Sequence, residues 1–180
     1  MESLIFQYIW PACYEKDYDK QQVQIVTMIK VLFVCHGNIC RSAMSEFMMR
    51  DMLVKRGLSD RISVASAATS REELGNDMYP PAKRQLDKMH VPYSPRHARQ
   101  IRPSDYDEFD YIICMEQYNI RNLKRIIPDD PDDKVHLLLD YSSNPRDISD
   151  PWYTDNFQRA YDDINEGLEG FLQYLLLNVL

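Results

Sequence analysis

The sequence predicts an α/β fold: a single three-layer domain in which a four-stranded parallel sheet carries helices on both faces. Short apolar segments alternate with helical patterns, and this alternation is typical of a parallel sheet with helical crossovers. The 180 residues, 44% of them hydrophobic, suffice for one domain with a full core. In such a sheet the functional loops lie at the carboxyl ends of the strands.

The first strand leads into a loop that we predict to bind phosphate. Residues 30–34 are a short apolar, β-branched run, which is typical of a strand buried on both faces. Gly37 and Asn38 predict a sharp turn, because both residues tolerate positive φ. A helix is predicted over residues 43–55, with Ser42 as its N-cap. A loop between a strand and a helix N-terminus is an anion site, since backbone N–H groups and the helix dipole favour negative charge there.

The remaining elements follow from apolar periodicity and breaker residues. The predicted later strands are residues 61–67, 111–115 and 134–139. The predicted later helices are residues 82–89, 116–127 and 154–177, with a further short helix capped by Ser104.

Residues 1–27 differ in composition from the rest, and we assign them to an N-terminal extension that precedes the domain of residues 28–180. Met28 stands directly before the first strand, as a natural start would. Two interpretations stay open: the extension is an upstream start in the gene model, or its apolar residues pack on the domain or on a partner. It lacks a basic region and a small-residue cleavage site, which argues against a secretory signal.

Two side chains give the first loop chemical potential beyond anion binding. Cys35 begins the loop, where the same electrostatic field favours a thiolate. Arg41 ends it, and its guanidinium can hold two phosphate oxygens at once. A thiolate that faces a bound phosphate, with an arginine to balance developing charge, is suited to nucleophilic phosphoryl transfer.

The chain resembles the low-molecular-weight protein tyrosine phosphatases at five places. Their signature is similar to residues 31–42 (VLFVCHGNICRS). The later matches, in family order, are residues 66–70 (SAATS), 98–101 (ARQI), 109–115 (FDYIICM) and 150–153 (DPWY). The resemblance extends from about Met28 to the C-terminus. It implies hydrolysis of phosphotyrosine phosphomonoesters through a phosphocysteine intermediate, and we predict that neither a cofactor nor a metal is needed.

The residues and the resemblance together suggest roles in the site. Cys35 is the predicted nucleophile, Arg41 and the loop amides hold the phosphate oxygens, and Asp150 protonates the leaving phenolate. On the residues alone, Asp150 has a second interpretation as a cap of the final helix. The predicted phosphate-binding residues are His36, Gly37, Asn38, Ile39, Cys40 and Ser42. The predicted supporting residues are Ser66, His97, Trp152 and Tyr153.

The resemblance also implies contacts within the loop. The Ser42 hydroxyl is expected to donate to the sulfur of Cys35, and Asn38 is expected to hold its turn through hydrogen bonds to Ser42 and Ser66. Cys40 lies close to the reactive thiol in sequence, so we expect a reversible Cys35–Cys40 disulfide under peroxide.

The cleft walls depart from the family pattern. The family often has an aromatic residue where Glu72 stands, and Tyr79 is the candidate to replace it. A histidine of the family hydrogen-bonds to the phosphate loop; His97 is the candidate here, although the spacing before residues 98–100 is shifted.

The expected substrate is a phosphotyrosine-containing protein or peptide. Ile39, Trp152 and Tyr153 form an apolar and aromatic rim that suits a phenyl ring. Relatives that act on phosphoarginine tend to carry Thr where Ile39 stands, so the resemblance favours phosphotyrosine, and a protein arginine phosphatase is an alternative. A thioredoxin-coupled arsenate reductase of the same fold needs further cysteines, and only Cys13 and Cys114 remain. A non-catalytic phosphate-binding module, the last alternative, would not need the cysteine.

Composition limits the partners and the location. The net charge of −7 argues against nucleic acid as a partner, and no apolar run is long enough to span a bilayer. Four cysteines without a paired framework indicate a reducing compartment, and we expect a cytoplasmic protein. We expect a monomer or a weak homodimer.

Overall fold

The computed structural model describes residues 28–180, and these form the predicted three-layer α/β fold. Its strands are β1 (Ile29–Cys35), β2 (Ile62–Ala68), β3 (Tyr111–Cys114) and β4 (Val135–Leu137). Neighbouring strands are parallel, in the order β2-β1-β3-β4. The predicted fold class is confirmed. The domain division before residue 28 stays a prediction, because residues 1–27 lie outside the described residues.

Helices cover both faces of this sheet. The helices described are α1 (Arg41–Arg56), α2 (Pro80–Lys88), α3 (Ser104–Glu108), α4 (Gln117–Leu123), α5 (Pro151–Thr154) and α6 (Phe157–Asn178), and a 3₁₀ turn spans Leu138–Tyr141. Between residues 28 and 180, no helix combines the length and apolarity that a membrane crossing requires.

Alternate side chains of β1 belong to two separate cores. Val31, Phe33 and Cys35 pack in the cluster that includes residues of α1, α2 and α6. Leu32 and Val34 pack in the cluster that includes residues of α3 and α4. Because successive side chains of a strand point to opposite faces, burial of both faces requires the continuous apolar run of this segment.

The strand order places the phosphate loop at the functional edge of the sheet. β1 lies between β2 and β3, so the chain order of the strands reverses on either side of it. Ligands of open α/β sheets bind at such a reversal, beyond the carboxyl ends of the strands. The loop of residues 36–40 joins β1 to α1 at this point.

Several predicted boundaries are wrong by one or two residues, and three errors change the local chemistry. α1 begins at Arg41 rather than Ala43, so Ser42 lies inside the helix and is not its N-cap. α3 begins at Ser104 itself, and no side chain caps it. The predicted final helix begins at Phe157 (α6) rather than at residue 154, because the chain turns at Asp155, where φ is 53°, and a separate short helix, α5, precedes that turn.

The fourth strand and the preceding helix are shorter than predicted. α4 ends at Leu123, and the chain continues as hydrogen-bonded turns. β4 ends at Leu137, whose N–H donates to the Asp140 carboxylate (3.0 Å) and starts the 3₁₀ turn. This turn packs against α6 at Gly170, where a Cβ would collide with a carbonyl oxygen of the turn. The close approach fixes the start of the loop that carries Asp150.

Candidate active site

The loop between β1 and α1 turns its carbonyl oxygens away from the cleft. Groups outside the loop donate to the carbonyls of Cys35, His36, Asn38 and Ile39. These donors are, in the same order, Thr69, Ser70, Arg96 and Tyr79. In a planar trans peptide the N–H points opposite to the C=O, and residues 28–180 contain no cis peptide bond. The N–H groups that follow these carbonyls therefore point into the cleft and form an anion cradle.

Cys35 lies at the base of this cradle. Its buried Sγ accepts a hydrogen bond from the Asn38 N–H (3.3 Å) and lies 3.0 Å from Ser42 Oγ. Asn38 has a φ of 59°, and its Nδ2 donates to Ser42 Oγ (2.9 Å) and Ser66 Oγ (2.8 Å). The contacts expected of Asn38 are present. The Ser42 hydroxyl has two acceptors within reach of its hydrogen, the Cys35 sulfur at 3.0 Å and the Ala67 carbonyl oxygen at 3.5 Å, and the sulfur is the nearer.

Arg41 forms the floor of the cleft, and its side chain is 1% exposed. Nη1 donates to the Ile148 carbonyl (2.8 Å), and Nη2 lies 2.6 Å from Asp150 Oδ2 and 2.8 Å from Glu116 Oε1. Burial opposes the charge, but the Cys35 thiolate and both carboxylates outweigh it and raise the pKa of Arg41 above its ordinary value. Nε is buried and has no partner among the described residues. An unpaired buried N–H costs about 1–3 kcal/mol, which a ligand oxygen would recover.

Asp150 faces Arg41 from the loop before α5. One carboxylate oxygen, Oδ1, accepts from the Trp152 N–H (3.1 Å), and the other pairs with Arg41. Asp150 reaches the phosphate loop and also caps a helix, but that helix is the short α5 and not the final helix, whose N-cap is Asn156. The Ile148 N–H donates to the Met115 carbonyl (2.8 Å), which ties the loop to the end of β3.

The cleft above the loop has an aromatic wall and an acidic wall, and its volume is about 110 Å³. Trp152 (51% exposed), Tyr153 (83% exposed) and the buried Ile39 form the aromatic wall. Glu72 and Glu73 form the acidic wall. An aromatic ring bound to the loop would therefore meet both aromatic and acidic side chains.

Tyr79 does not replace the aromatic residue that the family often has at the position of Glu72. It is not among the residues that line the cleft, and its ring packs behind Trp152 with centroids 4.9 Å apart. Glu72 itself stays at the wall, where its carboxylate lies 3.1 Å from Nε2 of His36. Tyr79 therefore supports the aromatic wall from behind.

The connector before residues 98–101 supports the loop through Arg96 and not through His97. Nδ1 of His97 lies 2.9 Å from the Gly75 carbonyl oxygen, and no hydrogen bond joins the residue to the phosphate loop. The Arg96 guanidinium instead binds Asn38 through its carbonyl (2.5 Å) and its side chain (2.8 Å). The available sequence signal was a basic residue directly before the histidine, but charge alone does not say which neighbour turns inward.

Glu116 is a second site residue that sequence reasoning missed. It directly precedes α4, two residues beyond the end of β3, and contacts Arg41. A polar residue beyond the carboxyl end of a central strand is a usable signal for a site of this kind. Within residues 28–180, no group of three or more His, Cys, Asp or Glu side chains is arranged to hold a metal ion.

The loop contains two free thiols, Cys35 and Cys40. Burial, followed by the Cys35 thiolate and Asp150, raises the pKa of Cys40 far above its ordinary value, so Cys40 stays protonated. Hydrogen peroxide is expected to oxidise the Cys35 thiolate to a sulfenic acid. The sulfur of Cys40 then attacks the sulfenic sulfur, the S–O bond breaks, and the hydroxyl group leaves as water with the Cys40 proton, which yields the disulfide.

Peptide mapping of peroxide-treated protein tests this pairing, and dithiothreitol should then restore the free thiols. In a Cys40→Ser variant, oxidation of Cys35 should proceed to the irreversible sulfinic acid. Irreversible oxidation of Cys35 as the sole product in the wild type would contradict the expectation.

A cysteine in an amide cradle, with an arginine below it and a carboxylate opposite, defines a cysteine-dependent phosphatase. The family model for low molecular weight phosphotyrosine protein phosphatases matches residues 30–179, and the chain belongs to this family. A curated relative, the low molecular weight protein-tyrosine-phosphatase PtpA of Staphylococcus epidermidis, is 39% identical over 150 residues. This match covers 83% of this chain and 95% of the relative.

Solved structures show the same fold. YfkJ from Bacillus subtilis superposes with a TM-score of 0.82 at 35% identity, over 86% of this chain and 98% of YfkJ. DARP, a Drosophila arginine phosphatase, superposes with a TM-score of 0.76 at 30% identity, over 83% of this chain and 99% of DARP.

Proposed function

We propose that this protein hydrolyses phosphotyrosine in a phosphoprotein or phosphopeptide, through a phosphocysteine intermediate on Cys35. The observation that carries the proposal is the unpaired, buried Nε of Arg41 beside an amide cradle that has Cys35 at its base. A phosphate bound there would accept hydrogen bonds from the cradle and from Arg41. PtpA is named a protein-tyrosine-phosphatase, which supports the same substrate class.

In the first step the Cys35 thiolate attacks phosphorus, the S–P bond forms, and the bond from phosphorus to the tyrosine oxygen breaks. The inward N–H groups and Arg41 stabilise the charge that develops on the non-bridging oxygens. The departing phenolate needs a proton, because the pKa of tyrosine is about 10. Asp150 supplies this proton as a carboxylic acid. Before this step its carboxyl group separates from Arg41, and the phosphate takes its place at the guanidinium.

In the second step water attacks the phosphocysteine and releases inorganic phosphate. Asp150, now a carboxylate, takes a proton from the water. The S–P bond breaks, and the Ser42 hydroxyl donates a hydrogen bond to the thiolate that departs. The 3.0 Å separation between Ser42 Oγ and Cys35 Sγ supports this role.

A phosphoarginine substrate is the second candidate, because DARP is an arginine phosphatase with the same fold. The residue that favours tyrosine here is Ile39, which lines the cleft beside Trp152 and Tyr153. An apolar side chain at this position packs against a phenyl ring, whereas a guanidinium needs hydrogen-bond partners.

Phosphate release from matched phosphotyrosine and phosphoarginine peptides tests this choice. The wild type is expected to prefer the phosphotyrosine peptide by at least ~10-fold in kcat/KM. An Ile39→Thr variant should narrow the preference, because its hydroxyl gives the guanidinium a polar partner. Ile39→Val, which has nearly the same shape as threonine but no hydroxyl, is the control. Faster release from the phosphoarginine peptide by the wild type would overturn the assignment.

An arsenate reductase and a non-catalytic phosphate-binding module find less support. Cys114 is fully buried in the sheet, so it is poorly placed to relay a disulfide in an arsenate reductase, and Cys13 lies outside the described residues. A module that only binds phosphate would not need a thiol at the base of its cradle. The cytoplasmic location and the monomeric or weakly dimeric state stay predictions.

A further inference from the structure

Arg96 joins three elements beneath the phosphate loop. Its Nη1 donates to the Asn38 carbonyl (2.5 Å), and its Nη2 donates to Asn38 Oδ1 (2.8 Å) and to Ser66 Oγ (2.9 Å) on β2. Glu46 of α1 lies 3.9 Å from Nη2, and the Arg96 side chain is only 11% exposed. The steps described above use none of these contacts, yet a buried charge with four partners is costly to place without a purpose.

The contact with the Asn38 carbonyl sets the direction of the next N–H group. Because the peptide between Asn38 and Ile39 is planar and trans, a carbonyl held outward by Arg96 keeps the Ile39 N–H inward. A charged donor also polarises the peptide group, which strengthens that N–H as a donor to phosphate. The contact with Oδ1 holds the Asn38 side chain while its backbone stays at a φ of 59°, a conformation that non-glycine residues rarely adopt.

We propose that Arg96 is a positioning residue for phosphoryl transfer, which holds the Asn38–Ile39 peptide in its phosphate-binding orientation and keeps a permanent positive charge beneath the loop. This inference deepens the proposed function and rests on it. A guanidinium stays protonated across the range in which a histidine titrates. The support that Arg96 gives is therefore independent of pH, which support from a histidine would not be.

The charged groups that face Arg96 come from three neighbouring parts of the structure. They are Glu46 and Arg50 of α1, Cys35 at the end of β1, and Asp77, which lies between β2 and α2. Burial lowers the pKa of Arg96 from its ordinary value, whereas Glu46, Cys35 and Asp77 favour the charged form. Asp77 also accepts the Arg96 backbone N–H (3.3 Å), which fixes the residue at both ends.

An Arg96→His variant provides a direct test, because the permanent charge becomes titratable. We would measure kcat/KM for p-nitrophenyl phosphate between pH 5 and 8, relative to the wild type at each pH. The introduced imidazole would support the loop while protonated, below its pKa, which is near 6.5 for an unperturbed histidine, and would lose the charge above it. The ratio of wild-type to variant kcat/KM is expected to rise by at least ~10-fold from pH 5 to pH 8.

Two further variants separate this effect from general destabilisation. Arg102→His makes the same replacement at an exposed arginine nearby, and its activity relative to the wild type should stay constant with pH. Arg96→Lys keeps the positive charge but loses the planar guanidinium that donates from two nitrogens. We therefore expect its kcat/KM to lie below that of the wild type by a factor that does not change with pH. Thermal unfolding of each variant reports whether it is folded.

Calorimetric titration with inorganic phosphate measures the same support without turnover. Arg96→His should bind progressively more weakly than the wild type as pH rises, and Arg96→Lys should bind about 10-fold more weakly throughout. If Arg96→His does not fold, the phosphate affinity of Arg96→Lys is the test. A phosphate affinity of Arg96→Lys equal to that of the wild type, or a ratio of Arg96→His to wild-type affinity that does not change with pH, would overturn the inference. If the wild type shows no turnover but the variants still bind phosphate more weakly in this way, the proposed function fails and the role of Arg96 in phosphate binding stands.

Discussion

Replacement of Cys35 by serine is expected to lower kcat for p-nitrophenyl phosphate by at least ~10⁴-fold. A serine hydroxyl is not ionised near neutral pH, and among the described residues no general base contacts this position at the base of the loop. The wild type should turn over the substrate in the presence of EDTA, and the variant should not. A steady-state assay with the phosphatase in reducing buffer measures both.

Binding provides the control for this variant. Serine is close to cysteine in size and can still accept a hydrogen bond from the Asn38 N–H, so affinity for inorganic phosphate should persist. Retained turnover in Cys35→Ser would contradict the assignment of the nucleophile. Phosphate binding without turnover in the wild type would instead favour a binding module or an arsenate reductase, and a thioredoxin-coupled arsenate assay would separate those two.

Replacement of Asp150 by asparagine is expected to lower kcat by about 10²–10³-fold with phenyl phosphate. The loss should be smaller with p-nitrophenyl phosphate, because p-nitrophenolate departs without prior protonation. KM should fall as well, because Asp150 no longer competes with phosphate for Arg41, from which its Oδ2 is 2.6 Å away. Asparagine can still cap α5 through the Trp152 N–H, so the helix start is preserved.

Asp155→Asn is the matched control for this variant. It removes one carboxylate from the same segment at an exposed position between α5 and α6, and asparagine tolerates the left-handed backbone there. Its kcat should equal that of the wild type with both substrates. An equal loss in Asp150→Asn with the two leaving groups would contradict the role of Asp150 as the acid.

The features that sequence predicted well are encoded by neighbouring residues. The apolar run before Cys35, the turn that Asn38 makes with a positive φ, and the cysteine–arginine spacing all lie within one short segment. The sequence suggests a positive φ at Gly37 as well, but only Asn38 has one. Local periodicity and turn chemistry suffice to place such a segment between a buried strand and a helix. The fold class followed because strands and helices alternate along the whole chain.

The errors arise where distant groups compete for one side chain. Ser42 is a good N-cap in isolation, but its hydroxyl is engaged by Asn38 and lies against Cys35, so the helix begins one residue before it. The choice between Arg96 and His97 depends on packing against Ser66 and Glu46, which are distant in sequence. No local pattern carries that information.

The position of Tyr79 relative to the cleft is another feature that local sequence does not predict. The family pattern led to an aromatic replacement for Glu72, and Tyr79 was the nearest candidate in sequence. Tyr79 instead packs between Trp152 and Phe157. The Tyr79 ring packs against other aromatic rings behind Trp152, and Glu72 and Glu73 line the cleft instead.

The central claim is that the phosphoryl group passes through the sulfur of Cys35. Rapid acid quench of the wild type during turnover of a phosphotyrosine peptide, followed by mass spectrometry of its proteolytic fragments, tests this claim most directly. We expect one phosphoryl group on the fragment that contains Cys35, and none on that fragment in Cys35→Ser. A phosphoryl group on His36 or on another fragment, or undiminished turnover with no phosphorylated fragment, would contradict the account.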